Sequence, residues 1–92
     1  MTDAIVRQLK IVNEKGLHAR ASARLVEVAD RFDAEAEIYH DGHSAGADSI
    51  MGLLMLAASR GKTIGMRVWG SEAEALADAI ESLVANRFGE EM

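Results

Sequence analysis

The spacing of apolar residues along this chain switches repeatedly between two and about 3.6, which confines it to a layer of strands packed against a layer of helices. From Ile5 to Val12 the residues alternate, with Ile5, Leu9 and Ile11 on one face and Gln8 and Lys10 on the other, the period of a half-buried strand. Asn13-Glu14-Lys15-Gly16 is turn-like. From Leu17 the period lengthens: Leu17, Ala21, Leu25, Val28, Ala29 and Phe32 share one side, with Arg20, Arg24, Glu27 and Arg31 opposite. This predicts an amphipathic helix with His18 at its start. Ala34 to His40 alternates again, Asp41-Gly42 is a strong hairpin signal, and His43 to Ala45 is the returning strand, broken by Gly46-Ala47-Asp48.

Ser49 to Ala58, rich in Met and Leu, predicts a short helix ended by Arg60-Gly61-Lys62, and Thr63 to Trp69 reads as the last strand. Ser71-Glu72-Ala73-Glu74 has the serine-to-glutamate spacing of a capping box. The closing helix buries Leu76, Ala77, Ile80, Leu83 and Val84 and is expected to end near Gly89. The order β-α-β-β-α-β-α gives an open-faced α/β (α+β) sandwich: four strands in one sheet, wet on one side and covered by helices on the other.

A length of 92 residues makes one domain, 1–92, whose thin core favours a shallow surface site over a deep cavity. With 49% hydrophobic residues a packed core is expected, and the absence of cysteine excludes disulfides, thiol catalysis and cysteine-based zinc sites. A net charge of −5 argues against nonspecific nucleic-acid binding. Met1-Thr2-Asp3-Ala4 lacks a basic region leading into an apolar run, and no stretch approaches the roughly 18–20 apolar residues of a membrane span. A cytoplasmic protein with no membrane partner is expected. The charge is uneven: through Arg31 six basic residues face four acidic ones, and beyond it four face eleven. The region around His18 is therefore expected to be locally positive.

Gly16-Leu17-His18-Ala19-Arg20-Ala21 carries the chemistry. It sets an imidazole at the first turn of a helix, with a guanidinium two residues on. That turn offers unpaired N–H groups and the positive end of the dipole, a ready phosphate site. The same field disfavours the imidazolium form, and a neutral ring is what a nucleophile requires. A phosphoryl group on His18 would meet those N–H groups and Arg20, each charge-assisted bond contributing about 1.5–3 kcal/mol before screening by solvent. A histidine at a helix start is also an ordinary solvated residue or weak cap, with Arg20 and Arg24 a plain exposed face. The residues alone leave both readings open.

Gly16-Leu17-His18-Ala19-Arg20 resembles the active-site signature of the histidine-containing phosphocarrier (HPr) family of the bacterial phosphotransferase system. Asp48-Ser49-Ile50-Met51-Gly52-Leu53-Leu54-Met55-Leu56 is similar to that family's regulatory-serine segment, and the resemblance runs from about Val6 to Val84. It implies the HPr-like fold, a four-stranded antiparallel sheet with three helices on one face. It implies that His18 is phosphorylated, on Nδ1 in the family, by the phosphoenolpyruvate-dependent first enzyme (enzyme I, or its nitrogen-type counterpart). The group then passes to a downstream EIIA-type acceptor, with Arg20 stabilising phosphoryl charge. The chain would thus be a monomeric carrier without cofactor or metal, not an enzyme, since both transfers need partners. One departure is plain: Ala21 stands where the family usually has proline, restoring an N–H and removing a constraint from the first turn.

Ser49 suits a helix N-cap, worth about 1 kcal/mol, and the resemblance adds a regulatory phosphosite served by an HPr kinase/phosphorylase. Ile50, Leu53, Leu54 and Ala57 share a face that can turn to the sheet, leaving Met51 and Met55 outside. Alternatively, Met51 and Leu54, with Ile50, form an apolar docking patch beside His18 ringed by Arg20 and Arg24. His40 and His43 across the hairpin make a metal site conceivable but weakly supported. Trp69 is expected to pack, not to recognise a ligand. The alternative function is a regulatory binding module of the same fold that does not relay phosphate. Leu53-Leu54-Met55-Leu56-Ala57 followed by Ser59-Arg60-Gly61 leans towards the nitrogen-related (NPr-like) branch over sugar uptake.

Overall fold

Alternation within each strand dictates which face the helices cover. The computed structural model describes residues 4–92; the absence of a targeting segment was read partly from Met1–Asp3, which lie outside them. Strands β1 (Ile5–Lys10), β2 (Glu35–His40), β3 (His43–Gly46) and β4 (Thr63–Trp69) form one antiparallel sheet in the order β1-β4-β2-β3. Its inner row pairs Leu9 with Ile64, Ala36 with Val68 and Ile38 with Met66, all buried. The outer row carries Gln8, Glu37, Tyr39, Gly65 and Arg67. Gly65 is required there: a Cβ would lie 2.0 Å from the Tyr39 ring, which rests across the strand. Arg67 lies over Trp69, 5.1 Å from the ring centroid, and bonds Glu37, so Trp69 is occupied in packing on this face.

Helix α3 (Ala73–Ala85) packs along β1 and β4, α2 (Ile50–Met55) against β3, and α1 (Ala19–Ala29) against α2 and α3. The core joins Leu25 of α1, Leu53 of α2 and Leu76, Ala77, Ile80 and Val84 of α3 to the inner row of the sheet. Arg7 is the exception in that row. Its stem lies along the inner face while its guanidinium reaches out to Asp78 and Glu81 of α3, at 2.7 and 2.8 Å. The hairpin turn has Asp41 and Gly42 both at positive φ, 51° and 81°, as a tight two-residue connection requires.

Four expectations change at the element ends. The first strand stops at Lys10, because beyond it Ile11 bonds the backbone of Lys62 and Gly61 instead of continuing the ladder. The capping box does not form. Ser71 Oγ donates to the Asp33 carbonyl and carboxylate, Glu72 accepts from the Asp33 N–H, and α3 begins at Ala73 with no side-chain cap. The loop before β2 therefore takes the side chains that would have capped the helix. At its other end α3 stops at Ala85, short of Gly89, and Arg87, Phe88 and Gly89 all adopt positive φ (57°, 55° and 81°) in a reversed turn. Left-handed backbone at Arg87 and Phe88 costs on the order of 1–2 kcal/mol each, offset by complete burial of the Phe88 ring.

The second helix is shorter than expected, and of its proposed inner residues only Leu53 is buried. Ile50 and Leu54 are 41% and 36% exposed and Ala57 is exposed; Leu56 and Ala58, just past the helix end, fill the core in their place. Leu53→Ala is expected to cost about 2–5 kcal/mol in urea unfolding, against less than about 0.5 for Met51→Ala. Equal losses would contradict this assignment of faces.

Candidate functional site

The backbone before α1 is shaped by one close approach. Gly16 sits at φ 65°, and a Cβ there would lie 2.5 Å from the Ala58 carbonyl oxygen and 2.8 Å from the Ser59 Cα. Only glycine satisfies both demands. The approach lets the Leu17 N–H donate to the Ala58 carbonyl at 2.9 Å, and Leu17 is then buried as the last residue before the helix. His18 follows as the N-cap, extended at φ −78°, ψ −177°. Its carbonyl accepts from Ser22 N at 2.9 Å, starting the helix, while its side chain makes no capping bond. The first-turn N–H groups of Ala19, Arg20 and Ala21 are thus left uncapped at the positive end of α1, and the His18 side chain is 27% exposed. Arg20 is exposed and, among the described residues, makes no ion pair. Ala21 is fully buried. Its methyl packs in the core while its N–H belongs to the open turn.

The tail after α3 returns to this spot, which the local sequence pattern gave no sign of. Glu90 Oε2 contacts Nε2 of His18, 72 residues away in sequence, and Glu90 Oε1 accepts from Asn13 Nδ2 at 2.8 Å. Asn13 is fully buried and donates its other amide hydrogen to the Gly16 carbonyl at 2.8 Å. Arg24 Nη1 donates to the Phe88 carbonyl at 2.7 Å, and the Glu14 N–H to that of Met92 at 3.0 Å. Arg24, itself exposed on α1, therefore also clasps the tail.

The expectation of a locally positive neighbourhood is met only in part, because the fold brings distant acidic residues to it. Lys15 and Arg20 share a shallow cleft with Glu14, Glu90 and Glu91. Burial pushes the Glu90 carboxyl up, but hydrogen bonds from Asn13 and His18, with the charges of His18 and Lys15, outweigh it and hold the group below its ordinary value.

Ser49 is the N-cap of α2, its Oγ accepting from Gly52 N at 3.0 Å. Ile50, Met51, Leu54 and Met55 are all exposed on this helix, Met51 and Met55 at 67% and 76%, and it packs directly on α1. His40 Nδ1 donates to the Leu56 carbonyl at 3.0 Å, which commits that ring to holding the end of α2.

A family model described as the phosphorylation site of the PTS HPr component matches residues 5–86. The chain belongs to the HPr family. The phosphocarrier protein HPr of Cupriavidus necator is 43% identical over 84 residues, spanning 91% of this chain and 94% of that protein. The phosphocarrier protein NPr of Shewanella violacea is 46% identical over 91% of this chain and 92% of its own length. Among solved structures, HPr-C-His from Thermoanaerobacter tengcongensis superposes with a TM-score of 0.89 at 32% identity, covering 96% of this chain and 99% of that one. HPr from Bacillus anthracis gives 0.85 at 34% identity, covering 90% and 99%. This HPr-family member therefore has the four-stranded antiparallel sheet and three helices of its solved relatives. No helix among the described residues is long and apolar enough to cross a membrane.

A carboxyl held down in the fold stabilises it above the ordinary carboxylate range, and that contribution is lost as pH falls through the lowered value. Urea midpoints of the wild type and Glu90→Gln are expected to differ near neutrality, with the wild type higher, and to converge below about pH 4. A gap undiminished at about pH 3 would contradict the contact.

Proposed function

We propose that the chain is a phosphoryl relay in which a ring nitrogen of His18 accepts the group from the phosphoenolpyruvate-dependent first enzyme, enzyme I or its nitrogen-type counterpart, and passes it to an EIIA-type acceptor. The observation that carries this reading is the half-buried His18 ring at an uncapped helix N-terminus. The ring's lone pair attacks phosphorus, the new P–N bond forms as the bond to the donor breaks, and the electron pair of that bond leaves with the donor. The phosphoryl oxygens are met by the N–H groups of Ala19, Arg20 and Ala21 and by the Arg20 guanidinium. Ala21 adds a donor that the proline usual in the family lacks. The reverse sequence delivers the group, so no cofactor is consumed and neither transfer proceeds without a partner protein.

Docking falls to the exposed apolar side chains of α2, Ile50, Met51 and Leu54, with Arg20 and Arg24 at the border. A small apolar surface with a basic edge favours brief contact with partners carrying acidic rims, which suits a monomer that must release after each transfer. Ser49, at the head of that helix, is a regulatory site for an HPr kinase/phosphorylase: a phosphate there adds about 1.5–2 negative charges beside Ile50 and repels the same acidic partners. Likeness to both HPr and NPr relatives supports a cytoplasmic carrier. The acceptor is of the sugar-uptake or the nitrogen-related kind, and the stretch from Leu53 to Gly61 favours the second.

Incubation with the first enzyme and labelled phosphoenolpyruvate is expected to give an acid-labile, base-stable adduct that His18→Ala abolishes. Label on the alanine variant at the wild-type level would defeat the reading. Ser49→Asp is expected to slow acceptance by about tenfold, measured as initial labelling rate at fixed enzyme, since it sets a fixed charge in the contact surface.

A further inference from the structure

The His18 ring has two nitrogens, and among the described residues only Nε2 is engaged. Nε2 faces Glu90 Oε2, and an ionised carboxylate has acceptors alone, so the nitrogen that faces it carries the hydrogen. The second oxygen of Glu90 is held by Asn13 Nδ2 at 2.8 Å, and the same amide reaches the Gly16 carbonyl at 2.8 Å. Because that nitrogen serves two acceptors, the orientation of the buried Asn13 amide is fixed. The hydrogen bonds therefore run in one direction, with Asn13 and His18 both donating to Glu90. The tail that brings the carboxylate is anchored by the buried Phe88 ring, by Arg24 on the Phe88 carbonyl and by Glu14 N on the Met92 carbonyl.

We propose that Asn13 and Glu90 are positioning residues that lock the His18 tautomer. Nε2 keeps its hydrogen, the lone pair is presented on Nδ1, and the Glu90 carboxylate balances the charge the ring gains on phosphorylation. This rests on the phosphocarrier reading and deepens it. As the P–Nδ1 bond forms and the bond from phosphorus to the donor breaks, Nε2 keeps its proton and the ring becomes cationic. That charge develops against a carboxylate already in place, so nothing has to reorganise at the moment of transfer. On delivery the P–Nδ1 electron pair returns to the ring and the charge disappears. Glu90 is faced by His18 and Lys15, with Arg20, Glu14 and Glu91 in the adjoining cleft. Arg20, which makes no ion pair among the described residues, draws the phosphoryl group to the Nδ1 edge, while the carboxylate occupies the Nε2 edge. A carboxylate that orients a ring by its far N–H is worth about 10–100-fold where the same device holds metal-bound histidines.

The test uses the full chain with its histidine rings labelled with nitrogen-15, at a pH where the ring is neutral. In the wild type the Nδ1 resonance is expected to be that of a bare nitrogen, with the hydrogen on Nε2. Glu90→Gln retains shape but has a single acceptor oxygen. With that oxygen on Asn13, its NH₂ faces Nε2, which must then be bare, and the hydrogen moves to Nδ1. The spectrum should shift accordingly, and transfer from the phosphorylated first enzyme should slow by about tenfold or more. Glu90→Asp restores a carboxylate and should recover the wild-type ring spectrum and part of the rate, and urea midpoints verify that all three chains are folded. A Glu90→Gln chain with the wild-type spectrum overturns the proposal, and so does slower transfer with an unchanged spectrum. Failure of the wild type itself to accept phosphate would instead sink the carrier reading, while the ring spectra still decide the tautomer.

Discussion

The backbone of Ala58 passes through the space that a side chain on residue 16 would fill, and the site is arranged around that approach. With no Cβ at Gly16, the loop closes on the segment after α2, Leu17 is pinned by the Ala58 carbonyl, and His18 emerges in the extended geometry an N-cap requires. Gly16 also offers its own carbonyl to Asn13, and through Asn13 the position of Glu90 is set. One backbone contact thus orients both the ring and the carboxylate against it. It also links the start of α1 to the end of α2, so the imidazole and the exposed apolar helix are held in fixed relation.

Opposed fields meet at His18. The uncapped amides of α1 and the Arg20 guanidinium favour an arriving anion, and the Glu90 carboxylate favours a cationic ring. A carrier needs both, because the group it holds is negative while the ring holding it turns positive. A strongly cationic pocket would bind phosphate well and release it poorly.

Most of the architecture could be read from periodicity because each element buries a single face: the alternation in Thr63–Trp69 and the stripe from Leu76 to Val84 leave little choice. Element ends were less legible, since side chains there choose among partners that are distant in sequence. Ser71 had the spacing to cap α3 but bonds Asp33. His18 and Arg20 announced themselves through a local motif, as did the serine at the head of α2. Asn13 and Glu90 did not. One looked like an ordinary turn residue and the other like part of an acidic terminus, and no short-range pattern couples positions so far apart. Arg24 lies on the open face that local reasoning gives it, but its hold on the returning tail depends on a partner distant in sequence.

The imidazole and its carboxylate are 72 residues apart, so their meeting closes a long loop. Closure of that loop carries a large entropic cost and is rewarded only once the core has formed beneath it. The hold on the ring therefore depends on docking of the tail, and is lost wherever the tail detaches.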